Sequence, residues 1–265
     1  MSANEFELSQ ALIELFEKNQ SREFNEIPVF WERLGGTEFI EGKKVLDFGS
    51  GLGSMTIDLI KKGASEVHGI EINDNYKRFA ERNLELKYGD YKEKIRYFSE
   101  SLDSLEDESY DVIVSKDVFE HVIGLEELYP ILIKKLKTGG RLLLGFGPLW
   151  YSAFGDHGIS QRISGFKIPW LHLLMSDQRI FEYLNSKKDA DDKVSSFEEA
   201  GFNRLVPDDY FKILSNAQNL NYQFQKINPS RSTLAKISNI FLKVFNFKII
   251  RKYFVRTVYT VAIKK

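Results

Sequence analysis

Residues 43–63, KKVLDFGSGLGSMTIDLIKKG, decide the fold class of this 265-residue chain. The segment KKVLDFG is a short apolar run typical of a buried strand, and SMTIDLIKKG has helical periodicity and closes with a glycine. Between them, Gly49, Gly51 and Gly53 form a GxGxG pattern. Glycines let the backbone turn tightly and approach a ligand, and the following helix offers free N–H groups. The sequence therefore predicts a strand, a ligand-binding turn and a helix.

Strand and helix patterns continue to alternate after this stretch. The predicted strands are EVHGIEI (66–72), KIRYFSE (94–100), SYDVIVS (109–115) and RLLLGFG (141–147). One predicted helix is NDNYKRFAERNLELKYG (73–89), with Asn73 or Asp74 as its N-cap. The other is LEELYPILIKKLKTGG (125–140), whose regular part is expected to begin at or near Pro130. Strands separated by such helices imply right-handed crossovers, so the pattern predicts an α/β fold with a doubly wound, mostly parallel sheet.

Further regions flank this core. Helical spacing over residues 4–20, and again around Phe30, Trp31 and Leu34, predicts two N-terminal helices. Residues 149–206 are irregular and aromatic-rich, which is typical of an insertion near a ligand. The predicted organisation begins with an N-terminal helical cap (1–40) and a ligand-binding core (41–148). An insertion or lid (149–206) is expected over the site of a second ligand, the acceptor. A C-terminal helix and strands (207–265) complete the sheet, with a basic helix at about 232–254.

The composition is that of a globular protein, with 43% hydrophobic and 28% charged residues. The absence of cysteine excludes disulfides, thiolate nucleophiles and cysteine-ligated metal sites. It also permits a reducing compartment, so a cytoplasmic location is expected. The acidic start MSANEFELSQ lacks the pattern of a signal peptide, and no run approaches the roughly 18 apolar residues of a membrane span.

Charge is distributed unevenly, although 37 Lys and Arg nearly balance 38 Asp and Glu. Residues 210–265 contain eleven Lys or Arg and no acidic residue. Such a segment can bind a phosphate-bearing molecule, a nucleic acid or an anionic lipid. We favour the alternative that the basic and acidic residues form two solvated faces whose charges balance each other. In this region Leu234, Ile237, Phe241 and Val244 share one helical face. That face predicts an interfacial helix or, by preference, a helix packed on the sheet.

Two acidic residues complete the glycine motif. A dinucleotide fingerprint needs a third glycine where this chain has Ser54, so a pyrophosphate site is disfavoured. Glu71 follows the second strand, where a carboxylate can accept both hydroxyls of a ribose. Asp47 precedes the glycines, where it can face an ammonium group. One carboxylate suited to a ribose, one suited to an amine and a glycine turn that disfavours a diphosphate together indicate S-adenosylmethionine (SAM) as the ligand.

The chain resembles class I SAM-dependent methyltransferases, in particular the small-molecule branch of ubiquinone and sugar methyltransferases. The resemblance rests on VLDFGSGLG (45–53), GIEIN (69–73), SYDVIVSKDVFEHV (109–122) and LKTGGRLLL (136–144). It implies a seven-stranded, Rossmann-like sheet with SAM at the glycine turn. The residues that it assigns to SAM are Asp47, Gly49, Gly51, Gly53, Glu71, Ile72, Ser101, Leu102 and Lys116.

The resemblance also assigns a position to several of these residues. Ile72 and Leu102 are expected beside the adenine, and Lys116 next to the methionine end. Ser101 or Glu100 stands where the family often has an aspartate.

Catalysis requires little beyond alignment, because the methyl group of SAM is already activated. For a hydroxyl acceptor a general base helps to remove the proton, and histidine is the natural base at neutral pH. His121, beside Glu120 after the fourth strand, and His157, in the insertion, are candidate catalytic residues of equal rank, and His172 ranks lower. No metal is expected, because Asp117 and Glu120 make only a thin carboxylate cluster.

The acceptor is predicted to be a small molecule, first a sugar or nucleotide-sugar hydroxyl. A lipid-linked or quinone-like acceptor at a membrane surface is the runner-up, with peripheral contact through the basic helix. Nucleic acid ranks third, because no recognition motif is present. A non-catalytic SAM-fold protein and a nicotinamide dehydrogenase are disfavoured. The aromatic residues expected to line the acceptor pocket are Phe146, Trp150, Tyr151, Phe154 and Trp170.

Overall fold

The structure is a computed structural model that describes residues 8–99, 101–186, 188, 192–230, 232–245 and 247–265. Seven strands form one sheet: β1 (Lys44–Phe48), β2 (Glu66–Ile70), β3 (Ile95–Phe98), β4 (Tyr110–Lys116), β5 (Leu136–Phe146), β6 (Leu220–Ile227) and β7 (Val258–Lys264). Their order is β3-β2-β1-β4-β5-β7-β6. Strands β1 to β5 run parallel, whereas β7 is antiparallel to β5 and β6. This topology confirms the predicted doubly wound, mostly parallel α/β sheet.

Helices pack on the sheet or follow its strands. They are α1 (Gln10–Leu34), α2 (Ser54–Lys61), α3 (Asp74–Lys87), α4 (Leu125–Lys135), α5 (Ile159–Ser164), α6 (Asp177–Asn185), α7 (Pro207–Asn216), α8 (Thr233–Val244) and α9 (Lys248–Phe254). Side chains of one strand alternate between two cores. Val45 of β1 packs with residues of α1 and α2, and Leu46 packs with residues of α4 and α7. The sheet is therefore buried on both faces, which explains why its strands read as apolar runs.

The N-terminal region differs from the sequence prediction. One helix, α1, replaces the two predicted helices, and Pro28 lies inside it. Phe16 and Phe30, from its two halves, are both buried, so tertiary packing stabilises the continuous helix despite the proline. The first seven residues, with the start of the predicted 4–20 helix, lie outside the described part of the chain.

Two other helix predictions are corrected. Helix α4 begins at Leu125, more than one turn before Pro130, because Leu125 and Tyr129 are buried and hold the first turn in the core. The predicted basic helix at 232–254 is two helices, α8 and α9. The rings of Phe241 and Phe254 stack with their centroids 4.8 Å apart, a contact that requires α9 to fold back on α8.

The insertion lies between β5 and α7 and has a small core of its own. It contains α5 and α6, and its buried apolar residues are Trp150, Ile159, Ile180, Phe197 and Phe202. The insertion follows directly from the carboxyl end of β5. Because parallel strands present their carboxyl ends at one edge of the sheet, it lies near the ends of β1, β2 and β4.

Candidate functional site

The glycine turn between β1 and α2 is tied to the end of β2. The N–H groups of Gly49 and Ser50 donate to the carbonyl oxygen of Ile70, at 3.0 and 2.8 Å. All three glycines of the motif have positive φ, a region that favours glycine. A Cβ at Gly49 would clash with the side chain of Val118, whereas one at Gly51 would meet no heavy atom within 4 Å. The turn is thus packed at its start and open to a ligand at Gly51.

Substitution Gly49→Ala is expected to destabilise the fold by about 2–5 kcal/mol, from a strained positive φ and the clash with Val118. Urea denaturation measures this loss. Gly139 is a matched control, since both glycines have a φ of 77° but a Cβ at Gly139 meets no heavy atom within 4 Å. Gly139→Ala should cost only the strain, about 1–2 kcal/mol. Equal losses in the two variants would contradict the tight packing of this turn.

Glu71 closes the open side of the turn from the end of β2. The N–H of Gly51 donates to its Oε2 at 2.9 Å, and the N–H of Asn73 donates to its Oε1 at 2.7 Å. These bonds orient the carboxylate, and each oxygen keeps acceptor capacity for a ligand hydroxyl. The adjacent Ile72 is apolar yet 88% exposed. The structure therefore brings the predicted ribose-binding and adenine-covering residues together beside the glycine turn.

Asp47 is buried beneath the turn. The hydroxyl of Thr56 donates to its Oδ2 at 2.6 Å. Burial, and then the charges of Glu71 and Glu23, raise the pKa of Asp47 to about 7. The charges of Glu71 and Glu23 thus disfavour ionisation of Asp47, and a bound cation would favour it.

Glu23 is the member of this group that sequence analysis missed. Helix α1 lies across the start of α2, where the hydroxyl of Ser54 donates to Glu23 Oε2 at 2.6 Å. Burial raises the pKa of Glu23. No local pattern marks Glu23, because only the packing of α1 on α2 brings it to the turn.

The other predicted cofactor residues are more dispersed. Ser101 caps a short 3-10 helix, and its hydroxyl oxygen accepts from the N–H of Asp103 at 3.3 Å. Leu102 is buried in the core, 6% exposed. Lys116 forms ion pairs with Glu26, at 3.4 Å, and with Asp117. Contacts of Ser101, Leu102 and Lys116 with SAM stay predictions, and Glu100 lies outside the described residues.

A second cluster lies after β4, where Glu120 and His121 meet His157 of the insertion. A carboxylate oxygen of Glu120 and one ring nitrogen of each histidine lie within 4.8 Å of one another. The two imidazole centroids are 4.8 Å apart, and each is 5.7 Å from that of Phe202. The two histidines of equal rank therefore belong to one site.

Hydrogen bonds and burial determine the protonation of this cluster. Glu120 is 4% exposed, and its Oε1 accepts from the N–H of Gly147 at 2.9 Å. Its Oε2 has no hydrogen-bond partner among the described residues. Burial, with a smaller contribution from the Asp117 charge, raises the pKa of Glu120 to about 8. Burial and then His121 lower the pKa of His157 to about 4. At neutral pH Glu120 is mostly protonated and His157 is neutral.

The tautomer of His121 follows from one contact. Its Nδ1 lies 2.6 Å from the carbonyl oxygen of Gly201. A carbonyl only accepts, so Nδ1 carries the hydrogen and donates it, which leaves the lone pair on Nε2. His121 is therefore oriented as a proton acceptor.

Glu120, His121 and His157 are also the residues that could hold a divalent transition metal, for which imidazole and carboxylate are suitable ligands. Ligands about 2.0–2.2 Å from one ion lie at most about 4.4 Å apart. The 4.8 Å spread of this group would therefore have to contract. The expectation that the chain holds no metal stays a prediction.

His172 lies apart from this cluster, in the interior of the insertion. Its Nε2–H donates to the carbonyl oxygen of Trp150 at 2.7 Å, and its side chain is buried. Burial lowers the pKa of His172. His172 is thus a neutral core imidazole of the insertion, and its lower rank as a catalytic residue stays a prediction.

The predicted pocket aromatics have mixed surroundings. Phe146 is buried and stacks on Phe119 at 5.5 Å between centroids, and Trp150 packs on Phe197 at 4.6 Å. The others make cation–π or tilted ring contacts: Tyr151 with Lys252, Phe154 with Lys167, and Trp170 with Phe254. Phe146 and Trp150 are therefore core residues, whereas Phe202, absent from the prediction, contacts both histidines.

The geometry agrees with a family match. The family model described as "Methyltransferase domain" matches residues 40–145. Residues 40–145, less than half of the 265-residue chain, are thus similar to a methyltransferase domain. The domain contains β1 to β5 and therefore both the glycine turn and the Glu120–His121 pair. This match and the fold confirm the resemblance to class I SAM-dependent methyltransferases, and the small-molecule branch stays a prediction.

Curated relatives match over part of this chain. A phosphoethanolamine N-methyltransferase 2 of Caenorhabditis elegans is 29% identical over 109 residues, 40% of this chain and 24% of that protein. A ribosomal protein L11 methyltransferase of Acetivibrio thermocellus is 32% identical over 95 residues, 36% of this chain and 29% of that protein. The chain thus spans less than a third of the length of these two relatives, which act on different acceptors.

Solved structures share the fold over most of the chain. An S-adenosylmethionine dependent methyltransferase from Mesorhizobium loti has a TM-score of 0.56 at 15% identity, covering 90% of this chain and 97% of that one. A phosphoethanolamine N-methyltransferase 2 of Haemonchus contortus, in complex with SAM, has a TM-score of 0.55 at 13% identity, covering 91% and 52%. The likeness therefore extends well beyond residues 40–145.

Proposed function

We propose that this chain is a SAM-dependent methyltransferase that moves a methyl group to a hydroxyl of a small-molecule acceptor. One observation carries the proposal: the open backbone at Gly51 faces the oriented carboxylate of Glu71, within a methyltransferase domain. A ligand that fits there has hydroxyls for Glu71 and needs no diphosphate site. SAM satisfies both requirements.

The chain's own residues fit SAM in charge as well as in shape. SAM supplies a methyl group on a sulfonium, which is a good leaving group. Glu71 accepts hydrogen bonds from the ribose, and Ile72 covers the adenine. Asp47 and Glu23 provide negative charge for the ammonium end of the methionine. Burial raises the pKa of both carboxyl groups, and the charges of Glu71 and Glu23 raise the pKa of Asp47 further. A cationic ligand stabilises the ionised form of such groups.

The second cluster supplies the base. His121 Nε2 accepts the proton of the acceptor hydroxyl, because Nδ1–H is held by Gly201. Glu120, whose pKa is about 8, lies beside it and stabilises the imidazolium when ionised. His157 is neutral and orients the acceptor by hydrogen bonding.

The acceptor class is proposed as a sugar or nucleotide-sugar hydroxyl. A base cluster is needed for a hydroxyl acceptor, and it is not needed for an amine that is already unprotonated. The insertion carries His157 and Phe202 over the cluster, which supports an enclosed small molecule rather than a polymer.

Calorimetric titration with SAM, its demethylated product and NAD tests the proposal. We expect binding of SAM and of its product, and none of NAD. Binding of NAD without SAM would refute it. A screen with labelled SAM over sugar nucleotides, phenols, amines and lipid acceptors then identifies the acceptor class.

Affinity for SAM is expected to rise with pH up to about 7, by as much as tenfold per unit, because the cation binds ionised Asp47. Below that pH the free protein holds a proton on Asp47 that binding must release. The same raised pKa makes the contribution of Asp47 to folding stability fall as pH rises from about 4 to 7, since the unfolded state loses its proton first. Calorimetry in two buffers of different ionisation enthalpy measures the released proton, and Asp47→Asn should abolish it.

A membrane-borne acceptor is the second candidate. No helix in the described part of the chain is long and apolar enough to cross a membrane. Helix α8, however, exposes large apolar side chains, including Ile240 (60%) and Val244 (64%).

A further inference from the structure

Helix α8 presents its apolar side to the outside. Ile237, Ile240, Phe241 and Val244 follow helical spacing and are all exposed, whereas Ser238 is buried. An amphipathic helix of a globular protein normally turns its apolar stripe to the core. The favoured prediction, a helix whose apolar face packs on the sheet, is therefore wrong for this face.

The exposed surface continues into α9. Phe245, Phe247 and Ile249 are large, apolar and 45%, 67% and 72% exposed. The α8–α9 face is defined here by Ile237, Ile240, Phe241, Val244, Phe245, Phe247 and Ile249. A set of exposed apolar residues this dense marks an interaction site.

Charge indicates what this face binds. Lys236, Lys243 and Lys248 are exposed around it, and no acidic residue occurs in residues 210–265. Protein interfaces are depleted of lysine at their centre, whereas helices that lie in a membrane surface combine lysines with bulky apolar residues. Anionic lipid headgroups complement the lysines, and the acyl region accepts the apolar side chains.

The face lies next to the insertion that holds His157. Trp170 donates its Nε1–H to the carbonyl oxygen of Tyr253 at 3.3 Å, and Lys252 lies 3.9 Å from the centre of the Tyr151 ring. The same insertion exposes further apolar residues: Phe166, Ile168 and Leu174. A membrane at α8 and α9 would therefore adjoin the acceptor side of the molecule.

We propose that the α8–α9 face binds the surface of an anionic lipid bilayer, which brings the acceptor site to molecules held in the membrane. The second half of this statement rests on the proposed methyl transfer with a membrane-borne acceptor, the second candidate above, and the first half does not. The lysines attract the surface, and the apolar side chains enter the boundary between headgroups and acyl chains.

Flotation of the full chain with lipid vesicles tests the face directly. We expect binding to vesicles of phosphatidylcholine with phosphatidylglycerol, much weaker binding to phosphatidylcholine alone, and weakening by salt. The double variant Ile240→Ser and Val244→Ser should reduce partitioning by about tenfold or more. Lys236→Gln with Lys243→Gln should reduce it on the anionic vesicles only.

Leu86→Ser is the matched control, because Leu86 is 65% exposed on α3, outside the face. It should float like the unchanged chain. Absence of flotation with anionic vesicles, or equal flotation of the I240S/V244S variant, would overturn the proposal. A third outcome would also overturn it: light scattering shows a dimer, the I240S/V244S variant is a monomer, and no vesicle binding occurs. A second copy of the chain would then occupy the face.

SAM titration separates this proposal from the proposed function. The I240S/V244S variant should bind SAM as the unchanged chain does, since neither side chain belongs to the cofactor site. Vesicle binding without SAM binding would support the lipid surface and refute the methyl transfer. SAM binding without vesicle binding would support the methyl transfer and refute the lipid surface.

Discussion

Substitution His121→Gln is expected to lower the turnover of methyl transfer to a hydroxyl acceptor by about 10²- to 10⁴-fold, the usual loss for a general base. Glutamine keeps a donor near the Gly201 carbonyl but has no lone pair of comparable basicity at the position of Nε2. Affinity for SAM should remain unchanged, because the proposed cofactor site lies at the glycine turn and not at His121. Single-turnover rates with labelled SAM, together with titration calorimetry, measure both quantities.

The pH dependence distinguishes a base from a structural residue. Turnover of the unchanged chain should rise with pH through about 8, since Glu120 stabilises the imidazolium only after losing its proton. Glu120→Gln should remove this rise. A flat profile in the unchanged chain, or full turnover in the His121→Gln variant, would assign proton removal elsewhere.

His157→Gln tests whether the two histidines differ. Its pKa of about 4 makes His157 a weak proton acceptor. Its loss should raise KM for the acceptor more than it lowers kcat, since His157 orients the acceptor in this mechanism. A loss in kcat as large as that of His121→Gln would reverse the two roles.

Substitution Glu71→Ala is expected to weaken SAM binding by about 1–3 kcal/mol, or 5- to 150-fold, the loss expected for hydrogen bonds to a charged group. The variant also frees the N–H groups of Gly51 and Asn73, which Glu71 holds in the present structure. Thermal unfolding must therefore be measured beside the calorimetric titration, so that a loss of affinity is not confused with a loss of fold.

Two variants refine the Glu71 experiment. Glu71→Gln keeps one acceptor oxygen, so an intermediate loss is expected. Asp74→Asn is the control, because Asp74 is an exposed carboxylate at the start of α3 that pairs with Arg78 instead of the turn. Unchanged affinity in Glu71→Ala would mean that the ribose binds elsewhere.

Much of the cofactor site was predictable because its parts are local in sequence. The glycine turn and Glu71 follow consecutive strands of a parallel sheet, whose carboxyl ends must meet at one edge. Glu23 was not predictable, since it reaches the turn only through the packing of α1 on α2. The same holds for Phe202, whose contact with His121 depends on the fold of the insertion.

The sequence by itself determined the alternation of strands and helices, the GxGxG turn and the carboxylate that faces it. Each is set by short-range periodicity or by the conformational freedom of glycine. Only the tertiary structure decided that His121 and His157 share one site with a buried Glu120, and that α8 turns its apolar side outward. Such facts depend on contacts between segments far apart in the chain, and on which face of a helix finds a partner. Periodicity shows that a helix has an apolar face, but packing decides whether that face is covered by the rest of the protein or left exposed to an external partner such as a membrane.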